Sequence, residues 1–355
     1  MISTLNRYFS RELSLTFIAV SAILIVVIVS KSFVSLLAKV MDGKLPADVV
    51  ISLLSLGILK SAILLTPFAL LLASMLVLGR LYRDSEIYAV KACGVSSLGL
   101  IKYASLLILP LVVILLVLSV FSTPWASKQI EVIKLNARGH TNIHGLTPGQ
   151  FFESRHGKWV VFIESADKEK QRVENIFIYE KHENEIAIET AKVARQEDVR
   201  ELGGASLVLS EGQRYQGVPG EGGFTVLTFN QHAIRIDGLG LSVDKNDPEF
   251  MTTKELIKSG RLEDLAEFQW RISVPIAAIL LVLLAFPLSI SNPRQGRFAK
   301  IGVAITIYLI YSNLLILAQD WVADGKLPVI PGLFSMHIML AVIIFVLMYR
   351  QRMVV

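Results

Sequence analysis

Hydrophobic residues in this chain fall into six long runs, and a polar stretch divides them three and three. The runs cover roughly 13–38, 49–79, 98–125, 270–290, 299–319 and 330–349. Each is close to or beyond the ~20 residues that a helix needs to cross a bilayer, and their near-continuous apolar character predicts spanning helices. The second run is longer than a bilayer requires, which predicts tilt or first turns lying in the interface. The first exceeds the ~7–15 apolar residues of a secretory signal and ends in no small-x-small cleavage site, so it is read as a retained helix.

The polar stretch has a different period. Gln150–Ser154, Lys158–Ser165, Val173–Glu180, Glu185–Val193, Ala205–Ser210, Gln213–Gly217 and Phe224–Ile236 read as short strands separated by Gly, Asp, Asn or Lys clusters. Trp159, Val161 and Ile163 share one face and Val160 and Phe162 the other; Ile176/Ile178 and Phe177/Tyr179 repeat the pattern. Strands apolar on both faces belong either to an ordinary packed β-core or to a sheet that wraps an apolar ligand. The expected fold class is therefore a polytopic α-helical membrane protein of six transmembrane helices carrying an inserted all-β domain. Its divisions are 1–126, 127–266 and 267–355.

Composition agrees, with 53% hydrophobic and 18% charged residues among 355 and a mean hydropathy of +0.56. The net charge of +5 suggests nucleic acid only until the positions are read. Arg7 and Arg11 precede the first span, Arg80, Arg83 and Lys91 follow the second, Arg294, Arg297 and Lys300 follow the fourth, and Arg350 and Arg352 follow the sixth. Alternating helices put all of them on one side, which predicts both termini in the cytoplasm and the insert outside. The single cysteine, Cys93, excludes an internal disulfide framework.

Motifs for catalysis are missing. There is no G-x-x-x-x-G-K-[ST] phosphate loop, no G-x-S-x-G elbow and no H-E-x-x-H. His140 and His144 stand four apart but in a Gly- and Asn-bearing stretch without a carboxylate at metal spacing, and read as linker. Neither a metal, a cofactor nor a catalytic residue is expected. A transporter without a nucleotide site needs a separate motor. Between spans two and three, Leu81, Ser85 and Tyr88, with Ile87 and Val90 near them, recur at helical spacing before Gly94, predicting a short amphipathic helix on the inner face. Its Glu86 is either a solvated carboxylate or, with Arg83 and Tyr88 beside it, part of a docking surface for a soluble subunit. Lys31, late in the first span, and Lys39, two turns further, either snorkel to the surface or form a basic mouth for an anionic head group; Lys60 carries the same ambiguity. Pro67, Pro110, Pro275 and Pro287 interrupt predicted spans, as packing kinks or as hinges.

The stretch Gly79-Arg80-Leu81-Tyr82-Arg83-Asp84-Ser85-Glu86-Ile87, running on to Ala92-Cys93-Gly94, resembles the inner loop of the LptF/LptG lipopolysaccharide export permeases. Phe286-Pro287-Leu288-Ser289-Ile290-Ser291-Asn292-Pro293-Arg294-Gln295-Gly296-Arg297 resembles the LptF branch of that family, as do Pro124-Trp125-Ala126-Ser127, Gly149-Gln150-Phe151 and Phe162-Ile163-Glu164-Ser165. The resemblance runs from about Arg7 to the end. It implies the permease subunit of an ABC transporter in the bacterial inner membrane, drawing lipopolysaccharide from the outer leaflet and passing it to a periplasmic bridge. The implied partners are an LptG-type paralogue, two LptB-type ATPases, an LptC-type membrane-anchored jellyroll and, indirectly, an LptA-type bridge, with no nucleic acid. The insert would be β-jellyroll-like, residues 82–93 a coupling helix with Arg83, Glu86 and Tyr88 at the ATPase, and Lys31 and Lys39 substrate contacts. Two other classes fit the residues alone: a membrane-anchored scaffold without transport, and a secondary transporter, disfavoured because Glu12, Asp48 and Asp320 lie near span ends.

Overall fold

The computed structural model describes residues 2–41, 45–139, 148–149, 151–153, 159–167, 172–181, 185–199, 204–218, 223–235, 246–290 and 300–351. Asp42–Lys44 of the first outer loop, the pair His140 and His144, Gln150, the turn Ser291–Arg297 and Arg352 lie outside them. By compactness the chain forms two units: Met1–Ser35, Leu54–Ser127 and Asn246–Val355 make one, and Leu36–Leu53 with Lys128–Lys245 the other.

The first unit is helical. Its apolar runs become α1 (Ile2–Met41), α2 (Val50–Arg83, after a 3-10 turn at Ala47–Val49), α4 (Ser97–Val117), α7 (Leu262–Ser289), α8 (Ile301–Ala323) and α9 (Phe334–Arg350). Among the described residues, five helices are long and apolar enough to cross a membrane, and α9, at 17 residues, is the shorter sixth. Helices are the required solution, since hydrocarbon offers backbone N–H and C=O groups no partner. Pro67, Pro110, Pro275 and Pro287 all sit inside helices. The third span does not stop near residue 125: a π-turn at Leu118–Ser122 leads straight into α5 (Thr123–Gly139), whose composition is polar. Short α3 (Glu86–Ala92) lies between α2 and α4, and α6 (Thr253–Ser259) precedes α7. Thr252 and Glu255 start α6 with a reciprocal capping box, and Gly260 at φ +69 ends it.

The buried core centres on α7, which packs against α4, α8 and α9. Ala277, Ala278, Ala285 and Ala304 are buried, and such small residues let helix backbones approach closely. By contrast α1 buries only Phe9 and Leu13 among its described residues; Ile18, Ile23, Val26, Val27 and Val34 are exposed.

The second unit contains an antiparallel meander in which β1 (Phe151–Glu153), β2 (Trp159–Asp167), β3 (Arg172–Lys181), β4 (Ile186–Val199), β5 (Gly204–Gly217) and β6 (Phe224–Arg235) pair in chain order. The two expected strands at Ala205–Ser210 and Gln213–Gly217 are one, β5. What separates them in the sequence is a break in the alternation at Glu211, which sits at φ +54 and which the ladder skips. Asn175 on β3 is a second such residue, at φ +53. The ladder skips Asn175, Lys192 and Glu211 at the same level, so these residues form a crease across β3, β4 and β5. The skipped residue shifts the alternation and keeps apolar residues on one face past the crease, Val173 and Ile176 on β3 and Ala191 and Ala194 on β4, and the same face carries the buried Glu189, paired with Arg214. Val161, Ile163, Leu207 and Leu209 are buried at the centre of that face, while Val160, Phe162, Phe177 and Tyr179 opposite are half-buried. Lys192 and Glu211 pair across the crease at 2.8 Å.

The α8–α9 loop is fastened to α7 by one amide. Gln269 donates to Val329 O at 2.7 Å and accepts from the Leu333 N–H at 2.9 Å. Gly332 at φ +53 makes room: a Cβ there would stand 2.3 Å from Gln269 Oε1 and 2.5 Å from Val329 O. Gly332→Ala is expected to lower the detergent-solubilised melting temperature by several degrees, from steric conflict plus about 1–2 kcal/mol of left-handed strain. Gly57→Ala, whose Cβ meets nothing within 4 Å, is expected to leave it unchanged or raised; differential scanning fluorimetry of the two variants checks the contrast.

Candidate functional site

Two sets of polar side chains stand at opposite ends of the helical unit. At the first, α2 does not end before the expected amphipathic helix but runs through Tyr82 to Arg83, so the helix expected over 82–93 is reduced to Glu86–Ala92. Ser85 at φ +58 makes the break between them, and Gly94 at φ +86 ends the short helix. The reason is local: Arg80 and Arg83 suit the C-terminal turn of α2, where cations meet the negative end of the helix dipole. Ile87, 1% exposed, anchors α3 on the bundle, with Val90 packed beside it.

Glu86, the first residue of α3, is half-buried and accepts a hydrogen bond from the Tyr8 hydroxyl of α1 at 2.9 Å. Arg80 donates to the same hydroxyl oxygen at 3.0 Å and pairs with Glu12 at 3.0 Å. A four-residue network thus joins the beginning of α1, the end of α2 and the beginning of α3. The burial of Phe9 and Leu13 between its members holds that end of α1 in place, at roughly 1.5–3 kcal/mol for each large apolar side chain. Arg83 is exposed and pairs with Asp84 at 2.8 Å. Tyr88 is 45% exposed and meets the edge of the buried Tyr82 ring, centroids 6.1 Å apart. The structure brings Glu86 together with Tyr8, Arg80 and Glu12, and leaves Arg83 and Tyr88 on the surface beside it.

Lys31 and Lys39 are both exposed on α1 and are not part of that cluster. Lys31 follows Arg11 by about 20 residues, hence about 30 Å of helix, which is the thickness of the hydrocarbon core. A spanning α1 with Arg11 at one interface would bring Lys31 to the other. Lys60, the third basic candidate, forms an ion pair with Glu249.

The second set surrounds Arg271, which is 1% exposed. Helix α7 begins at Leu262, well before the apolar run at 270, and so brings Asp264, Glu267 and Arg271 into the bundle. Arg271 donates to Glu267 Oε1 at 2.9 Å, Met251 O at 2.9 Å, Thr253 Oγ1 at 3.2 Å, Pro248 O at 2.9 Å and Glu249 O at 3.4 Å. Those five bonds match the five N–H groups of a guanidinium. Gln319 of α8 donates to the other Glu267 oxygen at 3.2 Å. Sequence reading passed over this cluster and over Tyr8. An arginine next to an apolar run, in Trp270-Arg271-Ile272, is the signal that marks the first; Tyr8 carries none, since its partner lies 78 residues away.

A model of the family described as lipopolysaccharide export system permease LptF/LptG matches residues 7–350. The chain belongs to that family. It is 29% identical over 323 residues, 90% of this chain and 88% of the relative, to lipopolysaccharide export system permease protein LptF of Escherichia coli (strain K12). LptF of Escherichia coli O157:H7 and of Shigella flexneri match to the same extent. As a family member the chain is a membrane permease subunit of lipopolysaccharide export and no enzyme, and its apolar helices and inserted sheet are those of a helical membrane protein carrying a β domain.

Removing only the Tyr8 hydroxyl isolates the cluster's contribution. Tyr8→Phe is expected to speed amide hydrogen exchange across Glu86–Ala92 by about 3–10-fold, the equivalent of the roughly 1 kcal/mol net contribution of one solvent-exposed hydrogen bond. Exchange in α7 should stay as it was, which mass spectrometry of peptic fragments resolves.

Proposed function

We propose that this chain is the permease subunit of an ABC transporter that extracts lipopolysaccharide from the outer leaflet of the inner membrane and delivers it to a periplasmic bridge. Family membership supplies the substrate class. The observation that carries the mechanism is the hydrogen bond from Tyr8 to Glu86, because it ties the helix that bears Lys31 to the loop where a motor would act.

In this reading α3 is the coupling helix, with Arg83, Glu86 and Tyr88 turned to an LptB-type ATPase. Two such ATPases drive this chain and an LptG-type paralogue as a heterodimer, with an LptC-type jellyroll alongside and an LptA-type bridge beyond. Both termini are cytoplasmic, and the β-jellyroll-like insert of the 127–266 region is periplasmic between helices 1–126 and 267–355. Lipid A phosphates meet the charge of Lys31 and Lys39. The apolar face of α1 that the bundle leaves open meets acyl chains or the paired permease. When nucleotide closes the motor, α3 moves, the Tyr8 contact moves the anchored end of α1, and the lipid leaves toward the insert. Cover for its acyl chains matters there, since exposed apolar surface costs roughly 25 cal/mol per Å².

The alternative is a scaffold that presents the β domain without transporting anything. The two separate on ATP hydrolysis: the permease reading expects the chain to co-purify with an ATPase whose rate rises on adding lipopolysaccharide, and a scaffold shows no such rise. Within the permease reading, Glu86→Ala is expected to reduce lipopolysaccharide release from proteoliposomes at least tenfold while the complex still assembles. Lys31→Glu is expected to weaken lipopolysaccharide retention in the complex. Normal release by an assembled Glu86→Ala complex would remove the coupling role, and normal retention by Lys31→Glu the phosphate role.

A further inference from the structure

The helical unit gives up the chain to the inserted domain after Ser127 and takes it back at Asn246. Both crossings are fastened at one place. Glu249, three residues after the return, accepts from the Ser127 hydroxyl at 2.9 Å and pairs with Lys60 of α2. The Glu249 backbone N–H donates to Asp247 Oδ1 at 2.9 Å, and Asp247 is itself buried. The returning segment is then fixed from below: three of its carbonyls, at Pro248, Glu249 and Met251, accept from the buried Arg271. Arg261 holds Asn246 O at 2.7 Å and pairs with the fully buried Asp264.

The same cluster reaches the third span where that helix widens. Ser119, in the π-turn, donates to Arg271 O at 2.8 Å, and Val120 O, also in the π-turn, accepts from Thr253 Oγ1 at 3.1 Å. A π-turn alters the i→i+4 ladder, and here side chains meet polar groups at the widened turn. Lys60 is about 20 residues from Arg80, and Arg271 about 20 from the far end of α7, which puts both, like Lys31, about 30 Å from the opposite interface.

We propose that Glu249 and Lys60 are positioning residues of a clasp that makes both chain crossings move with the helical unit, so that work done on the helices reaches the inserted domain. Lys60 therefore serves the chain's own geometry and not the lipid phosphates. This rests on the reading of the chain as a motor-driven permease and deepens it. Uncharged partners would hold position more loosely: the ion pair is a charge-assisted bond, roughly twice as strong as a neutral one, and Glu249 is further fixed by its bonds with Ser127, Asp247 and Arg271.

The test uses the full complex co-expressed with its ATPase and reconstituted in proteoliposomes with lipopolysaccharide, comparing wild type, Glu249→Gln, Lys60→Gln, Lys60→Glu and the exchanged pair Lys60→Glu with Glu249→Lys. The number of ATP molecules hydrolysed per lipopolysaccharide released is the readout that a merely structural role leaves unmoved. It is expected to rise at least tenfold in Glu249→Gln and in Lys60→Glu, with assembly and basal hydrolysis within twofold of wild type. The exchanged pair is expected to recover most of the loss. Amide exchange over Asn246–Met251 should quicken in Glu249→Gln while α7 stays protected. A wild-type ratio in Glu249→Gln overturns the proposal. So does a defect confined to Lys60→Gln and Lys60→Glu, which would make Lys60 a cargo contact, and so does failure of the Glu249→Gln complex to assemble. Absence of lipopolysaccharide-stimulated hydrolysis in the wild type would strike the permease reading instead.

Discussion

A charged side chain in a membrane helix has two affordable positions: at an interface or against a partner that satisfies it. The architecture of this chain follows from that constraint. Lys31 and Lys39 take the first solution, exposed on a helix long enough to place Lys31 one hydrocarbon thickness from Arg11. Arg271 takes the second, with every N–H used and Glu267 beside it. The apolar surface of α7 can then pack against α4, α8 and α9 with the Arg271 charge satisfied. Breaking such a pair from one side leaves a buried charge, so the cluster is a fixed point of the structure and movement has to be accommodated elsewhere.

Elsewhere is α1. It is fastened by Phe9, Leu13, Tyr8 and Glu12 at one end, and beyond them none of its described side chains is fully buried. A helix whose fully buried side chains are all at its base, and which meets α2 further along only through half-buried residues such as Ile25, Ile28 and Val29, can pass a displacement of that base along its length. The clasp at Glu249 and the network at Glu86 then have complementary roles. One is proposed to keep the two chain crossings with the bundle, and the other connects α3 to α1, a helix with few fully buried side chains among its described residues.

The six apolar runs, the strand period of the insert and the short helix between the second and third spans were legible because each depends on local pattern. Boundaries were less so, for a physical reason in each case. The second span swallowed Tyr82 and Arg83 because basic residues stabilise a helix C-terminus as well as they punctuate a loop. The fourth began at Leu262 because Asp264 pairs with Arg261 and Glu267 with Arg271, so charges that look polar one at a time are neutralised in pairs. Strand β5 looked like two because the positive φ at Glu211 interrupts the alternation without ending the ladder. Of the candidate site, Glu86 and Lys31 could be singled out from charge and position. Tyr8 and Glu249 could not, since their partners are distant in sequence and their residue types are ordinary where they stand.

The central claim is that the cargo end of α1 and the motor end of the chain are connected through Glu86. A photoreactive residue at Val34, exposed one turn beyond Lys31, measures it directly in the reconstituted complex. The account predicts crosslinks to lipopolysaccharide before nucleotide is added, lost when ATP is supplied to the wild type and retained with ATP in Glu86→Ala. Equal loss of crosslinking in both would contradict it.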